Sequence, residues 1–178
     1  MPACSKCGVE RELLDPAFRR PDAFVELDPR QKAEYAKADD DLCRITLPNT
    51  EPRYFVRGTL PVEVAGHPDV VWWGLWAEVF ESALSRILEL WSEAEQASEP
   101  PFLGTLANLV PSYPTTLGMP VSVHLTGPTS RPELRFGTET DHPFVRECQA
   151  GVERHRASEW GELIVGSRAA RRPSSASS

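Results

Sequence analysis

The stretch Val70–Val79 constrains the fold more than any other part of this sequence. It holds Trp72, Trp73 and Trp76, three of the five tryptophans in the chain. Its β-branched and aromatic residues predict a strand. In the following residues, 80–94, apolar side chains recur at spacings of three and four, which predicts an amphipathic helix. The chain is therefore expected to be organised around a buried strand that leads directly into a helix.

Alternation along that strand places Trp72 and Trp73 on opposite faces, with Trp76 on the side of Trp72. One face is expected to pack against the helix at 80–94. For the other face two interpretations stay open. Either a second layer of the chain covers it, or it is an exposed aromatic surface. In the second case Trp73 and Trp76 are candidate contacts for a ligand or partner.

The remaining elements are short and come in adjacent runs. Strands are predicted at 42–47, 54–64, 117–125 and 132–136, and helices at 29–38, from His142 to 151, and at 152–165. Residues 102–106 are expected to form either a short strand or an irregular segment. This order favours an α+β fold with a mostly antiparallel sheet, helices packed on one face and an N-terminal cysteine knuckle. One domain is expected over 4–165, with the knuckle and a loop (4–27) at its edge. Residues 167–178 are predicted to be a disordered tail.

Three local features refine these elements. Asp28 is a predicted helix cap, with Pro29 at the first helical position. Gly58 indicates a bulge in the strand at 54–64, and Pro61 indicates an edge or a bend there. Thr140 or Asp141 is expected to cap the helix that begins at His142.

Composition excludes several classes of partner. The net charge is −7 and the isoelectric point is near 5.2, whereas binding to nucleic-acid phosphates requires a basic surface. No apolar run approaches the roughly 20 residues that span a bilayer. The first residues lack the basic and apolar regions of a secretory signal. We therefore expect a cytoplasmic protein that binds neither nucleic acid nor membrane.

The cysteines provide the one metal-site motif. Cys4 and Cys7 are separated by two residues, a spacing that lets two thiolates bind one tetrahedral zinc ion. Cys43 is the leading third ligand, and Cys148 or a histidine would complete the site. The prediction is a structural zinc knuckle that uses Cys4, Cys7 and Cys43. The alternative is an incomplete knuckle with free thiols.

A second set of candidates is polar and lies at predicted strand ends and turns. The candidate ligand contacts are Arg57, Asn108, Tyr113 and Arg131, which offer donors for an anion or carboxylate. His142 beside Asp141 is a candidate general acid or base. The alternative is that His142 and Asp141 cap a helix, while the arginines pair with acidic neighbours.

Several short motifs, taken in order, resemble a known family. They are Cys4-Ser5-Lys6-Cys7-Gly8, Asp41-Leu42-Cys43, Phe55-Val56-Arg57-Gly58, Trp73-Gly74-Leu75-Trp76, Tyr113-Pro114, Arg131-Pro132 and His142-Pro143. Together they are similar to the bacterial family called domain of unknown function 2199, over roughly residues 4–163. That family usually has a histidine soon after the knuckle, where this chain has Arg11. The resemblance implies one fold unit and carries no established activity.

The predicted function is therefore a binding or interaction domain for a protein or small-molecule partner. An acidic protein of this kind would suit a basic partner. The alternative is a small hydrolase-like enzyme that uses His142 with Asp141 and an arginine anchor. Convergence of His142, Arg57 and Tyr113 in one pocket would favour the enzyme.

Overall fold

The computed structural model describes residues 13–170, with side chains through Ile164. Its elements are α1 (Asp22–Val25), α2 (Pro29–Tyr35), β1 (Ala36–Ala38), β2 (Leu42–Ile45), β3 (Arg53–Glu63), β4 (Val70–Val79), α3 (Glu81–Leu90), a 3-10 turn (Gln96–Ser98), β5 (Phe102–Leu106), β6 (Pro120–His124), β7 (Glu133–Arg135), α4 (Pro143–Ala150) and α5 (Arg154–Ala170). The α+β class is confirmed. The predicted knuckle lies outside the described residues, as do residues 171–178 of the predicted tail. No helix in the described part is long and apolar enough to cross a membrane.

The seven strands form one sheet in chain order, and each pairs with the next in antiparallel fashion. The last strand, β7, also returns to β3 through a parallel pairing of Thr59 with Glu133. This pairing closes β3 to β7 into a five-stranded barrel. The strands β1 and β2 extend the sheet beyond β3. The mostly antiparallel sheet is thus confirmed, and its closure is a feature that the sequence did not predict.

The predictions for Gly58 and Pro61 have different outcomes. The register passes through Gly58 opposite Leu75 with no extra residue, so the predicted bulge is wrong. A Cβ atom at Gly58 would lie 2.6 Å from Leu134 Cγ, so glycine here lets β7 approach β3. Pro61 lies in a continuous strand opposite Trp72, so the predicted bend is wrong. Among the described residues only β4 pairs with β3 at this position, which agrees with the alternative prediction of an edge. The N–H of Trp72 donates to Asp15 and not to β3, so Trp72 and Pro61 form a non-hydrogen-bonded pair. Pairing with β4 therefore does not require the N–H that proline lacks.

The two faces of β4 are covered by different parts of the chain. Trp73 is fully buried and packs edge-on against Phe144 of α4 and Trp160 of α5, with ring centroids 5.2 Å apart in both pairs. On the opposite face Trp76 is also fully buried, and its Nε1 donates to the carbonyl of Phe18 at 3.2 Å. A second layer therefore covers the second face. Trp72 on that face is 42% exposed.

Two predicted helices are shorter in the structure, the first of them because its last residues pair with a strand. The cap at Asp28 is confirmed, because its carboxylate accepts from Gln31 N–H at 2.8 Å and the Gln31 side chain accepts in return from Asp28 N–H. The helix ends at Tyr35, and residues 36–38 form β1 through pairing with β2. The second helix, α3, covers Glu81–Leu90 where 80–94 was predicted. The cap of α4 is His142, so the assignment to Thr140 or Asp141 is wrong.

Candidate functional site

One edge of β4 changes partners halfway along the strand. Its C-terminal end pairs with β5, from Ala77 onward. Earlier in the strand a segment from before α1 takes the place of β5. Phe18 N–H donates to the Gly74 carbonyl at 2.8 Å, and Gly74 N–H donates to the Pro16 carbonyl at 2.9 Å. A Cβ atom at Gly74 would lie 2.8 Å from Cβ of Ala17. Gly74, which lies between Trp73 and Trp76, therefore leaves room for this segment to pair with β4.

Asn108 lies at the fork where β5 leaves β4. Its Oδ1 accepts the N–H of Trp76 at 2.8 Å, and its Nδ2 donates to the Arg20 carbonyl at 3.0 Å and to Asp22 Oδ1 at 3.3 Å. The residue is fully buried. These bonds fix the N-terminal segment to the sheet. Of the predicted ligand contacts, Asn108, Trp73 and Trp76 thus have core positions.

Tyr113 belongs to a closed polar network on the other side of the sheet. Its hydroxyl donates to Glu147 Oε2 at 2.5 Å and accepts from Arg156 and from Trp160 Nε1, both at 2.8 Å. Burial, followed by the hydrogen bond to Glu147, raises the pKa of Tyr113 to about 12. All the bonding capacity of the hydroxyl is used within the protein. The network joins the loop before β6 to α4 and α5.

The side chains of His142 and Asp141 bind different groups. His142 is buried, and its Nδ1 accepts the N–H of Phe144 at 3.2 Å as a helix cap. The carboxylate of Asp141 is bound by Arg146 instead. Arg57 shares the Trp76 face of the sheet, whereas α4 packs on the Trp73 face. The structure therefore places His142 and Arg57 on opposite faces of the sheet, and the arginine beside Asp141 is Arg146.

Arg57 and Arg131 both form hydrogen bonds with Asp41. Arg131 Nε donates to Asp41 Oδ1 at 2.5 Å, and the main-chain N–H of Arg57 donates to the Asp41 carbonyl at 2.8 Å. The guanidinium of Arg57 reaches the carbonyl of Asp40 at 3.4 Å, and its Nε is buried without a partner. Burial lowers the pKa of Arg57, and the charge of Arg131 lowers it further. We call Arg20, Arg57, Arg131, Asp40 and Asp41 the arginine cluster.

The cysteines are only partly described. Cys43 and Cys148 are buried free thiols, and burial raises the pKa of both, that of Cys43 to about 12. Between residues 13 and 164, no group of three histidine, cysteine or acidic side chains is placed to hold a metal ion. Cys4 and Cys7 lie outside the described residues. The zinc knuckle therefore stays a prediction.

A groove that the sequence did not predict lies where β3, β4 and β5 meet the start of α3. Phe80 and Leu103 are 77% and 72% exposed there, beside a cavity of about 690 Å³. We call this the Phe80 groove. The helical pattern assigned Phe80 to the buried stripe of α3, but Phe80 is the cap residue, and the buried stripe starts at Leu84. An apolar residue immediately before Glu81, at a helix start, is the signal that could have found it.

The fold defines the class of protein: a small α+β domain whose sheet closes into a five-stranded barrel. The chain belongs to the domain of unknown function 2199 family, described as an uncharacterized protein conserved in bacteria, whose profile matches residues 3–152. The resemblance drawn from the motifs is thereby confirmed. No curated protein and no solved structure matches the chain.

Proposed function

We propose that this chain is a cytoplasmic protein-interaction domain that binds a basic, apolar segment of a partner protein in the Phe80 groove. The observation that carries the proposal is the exposure of Phe80 and Leu103 side by side. Single exposed apolar residues are common on protein surfaces, but paired large ones in a concave site are typical of binding surfaces. Aromatic residues in particular supply much of the binding energy at protein interfaces.

Phe80 contributes little to folding where it lies. It occupies the cap position of α3 and makes no capping hydrogen bond. Serine or aspartate at such a position typically stabilises a helix by about 1 kcal/mol relative to an apolar residue. A large exposed aromatic side chain at this position therefore breaks a local folding rule. Such violations are expected at functional sites.

The charges around the groove indicate a basic partner. Arg53 forms a bidentate ion pair with Glu78, with hydrogen bonds of 2.8 and 2.7 Å, so these two charges offset each other. Two further glutamates, Glu51 and Glu81, line the groove and form no ion pair with a described residue. The whole chain carries a net charge of −7. In a segment with apolar residues flanked by lysine or arginine, the apolar residues would match Phe80 and Leu103, and the basic residues would match the glutamates of the groove.

The proposal predicts that a short amphipathic peptide of leucine and lysine binds this protein, as measured by calorimetry. Phe80→Asp and Leu103→Ser should each weaken binding at least about tenfold, or 1.4 kcal/mol. Phe80→Asp should leave the thermal midpoint unchanged or raise it, because aspartate caps the helix. Leu117→Ser is the matched control, since Leu117 is 43% exposed and does not line the groove.

Four results would contradict this assignment. Equal binding of a leucine–glutamate peptide would remove the role of charge. Unchanged affinity in Phe80→Asp would show that the peptide binds outside the groove. Absence of peptide binding to the parent protein would show that the groove does not bind such a segment. A dimer in light scattering that dissociates on Phe80→Asp would identify a second copy of the chain as the occupant.

We further propose that Cys4, Cys7 and Cys43 hold a structural zinc ion, which the spacing of the first pair supports. Protein purified without added zinc should contain about one equivalent of the metal. Its Cys4 and Cys7 should react with Ellman's reagent only after chelation, while buried Cys148 reacts only on unfolding. Zinc below about a tenth of an equivalent, with two thiols reacting at once in the native protein, would reject the site.

A further inference from the structure

The arginine cluster holds more positive than negative charge. Its three guanidinium groups are faced by two carboxylates. Asp41 is bound by Arg131 at 2.5 Å, and Asp40 lies 3.6 Å from Arg20. Each aspartate is therefore committed to one arginine. Arg57 is the cation left without a carboxylate partner among the described residues.

An unpaired charge at this position needs an explanation. The Arg57 side chain is half-buried, its Nε has no partner, and its one hydrogen bond is to the Asp40 carbonyl at 3.4 Å. Removing a charge from water is unfavourable unless a counter-charge or hydrogen bonds compensate. Arginine stays protonated at neutral pH even when burial lowers its pKa. The positive charge of Arg57 is therefore present and poorly compensated.

A polar pocket opens beside this charge. It has a volume of about 380 Å³, and its lining includes Arg131, Asp41, Ser130, Thr129, Gln96 and Trp91. Arg131 uses only its Nε in binding Asp41, so both terminal amino groups of its guanidinium remain as donors. Its side chain is 40% exposed, which lets a ligand reach those groups. Asp41 fixes the orientation of this guanidinium.

We propose that this pocket binds a compact oxyanion, a phosphate or carboxylate group, through the terminal amino groups of Arg131. Guanidinium groups match both kinds of oxyanion because their parallel N–H donors fit two oxygens at once. Arg57 does not line the pocket, but its positive charge, which Asp41 and Asp40 offset only in part, attracts the anion at a distance. The pocket shares no lining residue with the Phe80 groove, so this inference is independent of the proposed protein partner.

The test is a titration of the full-length protein, followed by NMR, with inorganic phosphate in one arm and succinate in another. Binding should shift the backbone resonances of Ser130 and Arg131. Arg131→Gln should weaken anion binding at least about tenfold, because Arg131 contacts the anion directly. Arg57→Gln should weaken it about threefold to tenfold, because the charge of Arg57 acts at a distance. The arm with the tighter binding identifies the class of oxyanion. The control is Arg135→Gln, an exposed arginine on β7 that pairs with Glu133.

Stability measurements separate this role from a structural one. If Arg57 serves as a charge for a ligand, Arg57→Gln should leave the thermal midpoint of the ligand-free protein unchanged or raise it, because a half-buried and only partly compensated cation is removed. Added phosphate or succinate should then stabilise the parent protein more than this variant. Three results would overturn the proposal: neither anion shifts the Ser130 and Arg131 resonances, Arg131→Gln binds as tightly as the parent, or Arg57→Gln lowers the ligand-free midpoint without changing affinity.

Discussion

Asn108→Ala is expected to lower the free energy of unfolding by about 3 kcal/mol. The side chain is fully buried and makes three hydrogen bonds, to Trp76 N–H, the Arg20 carbonyl and the Asp22 carboxylate. Alanine would leave all three groups in a buried site without this partner. An unsatisfied buried group costs about 1–3 kcal/mol, more when it is charged. Urea denaturation, read by tryptophan fluorescence, measures the change.

The same substitution should loosen one specific part of the fold. Asn108 joins the fork in the sheet to the segment before α1, so amide exchange should accelerate at Phe18 and Gly74, whose N–H groups hold that segment on β4. Gln149→Ala is the matched control, because this exposed amide makes one weak bond at 3.5 Å. It should change stability by less than about 0.5 kcal/mol. Equal losses in the two variants would mean that the fork does not depend on Asn108.

Much of the fold could be predicted because its signals are local. The strand Val70–Val79 has the predicted bounds, since aromatic and β-branched residues there are buried on both faces. The cap at Asp28 was also predicted correctly, because a capping box involves residues only three apart. For the face opposite the helix the strand pattern left burial and exposure open, and the structure buries both Trp73 and Trp76. The segments that cover each tryptophan could not be predicted, because alternation indicates the face on which a side chain lies and not what packs against that face.

The features that were not predicted depend on contacts between distant residues. The barrel closes through Thr59 and Glu133, which no local pattern connects. The predicted helix at 29–38 lost its last turn to pairing with β2, an interaction that outweighs local propensity. Arg57 and Arg131 were predicted as candidates by type, but their shared neighbour Asp41 became clear only in the folded chain. The Phe80 groove was not predicted because Phe80 continues the apolar spacing of the helix that follows, and this spacing outweighed its place at the helix start.

The closing contact of the barrel gives the second large prediction. Gly58→Ala is expected to destabilise the protein by about 1–3 kcal/mol. The added Cβ would lie 2.6 Å from Cγ and 2.8 Å from Cδ2 of Leu134, and 3.0 Å from the Pro132 carbonyl. Leu134 is fully buried, so it cannot move aside without disturbing the core. Gly137→Ala is the control, because its Cβ would meet nothing closer than 3.8 Å.

A double-mutant cycle tests whether Leu134 causes this effect. Leu134→Ala alone should cost about 2–5 kcal/mol, because it leaves a cavity in the core. In that background the clash with Leu134 is gone, and alanine at position 58 restricts the unfolded chain more than glycine does. Gly58→Ala should then be nearly neutral, so that the double variant is more stable than the sum of the single losses by at least about 1 kcal/mol. Strict additivity would show that the strain at position 58 comes from elsewhere, with the Pro132 carbonyl as the remaining neighbour at 3.0 Å. A positive coupling would establish that glycine at this position is required for β7 to pair with β3.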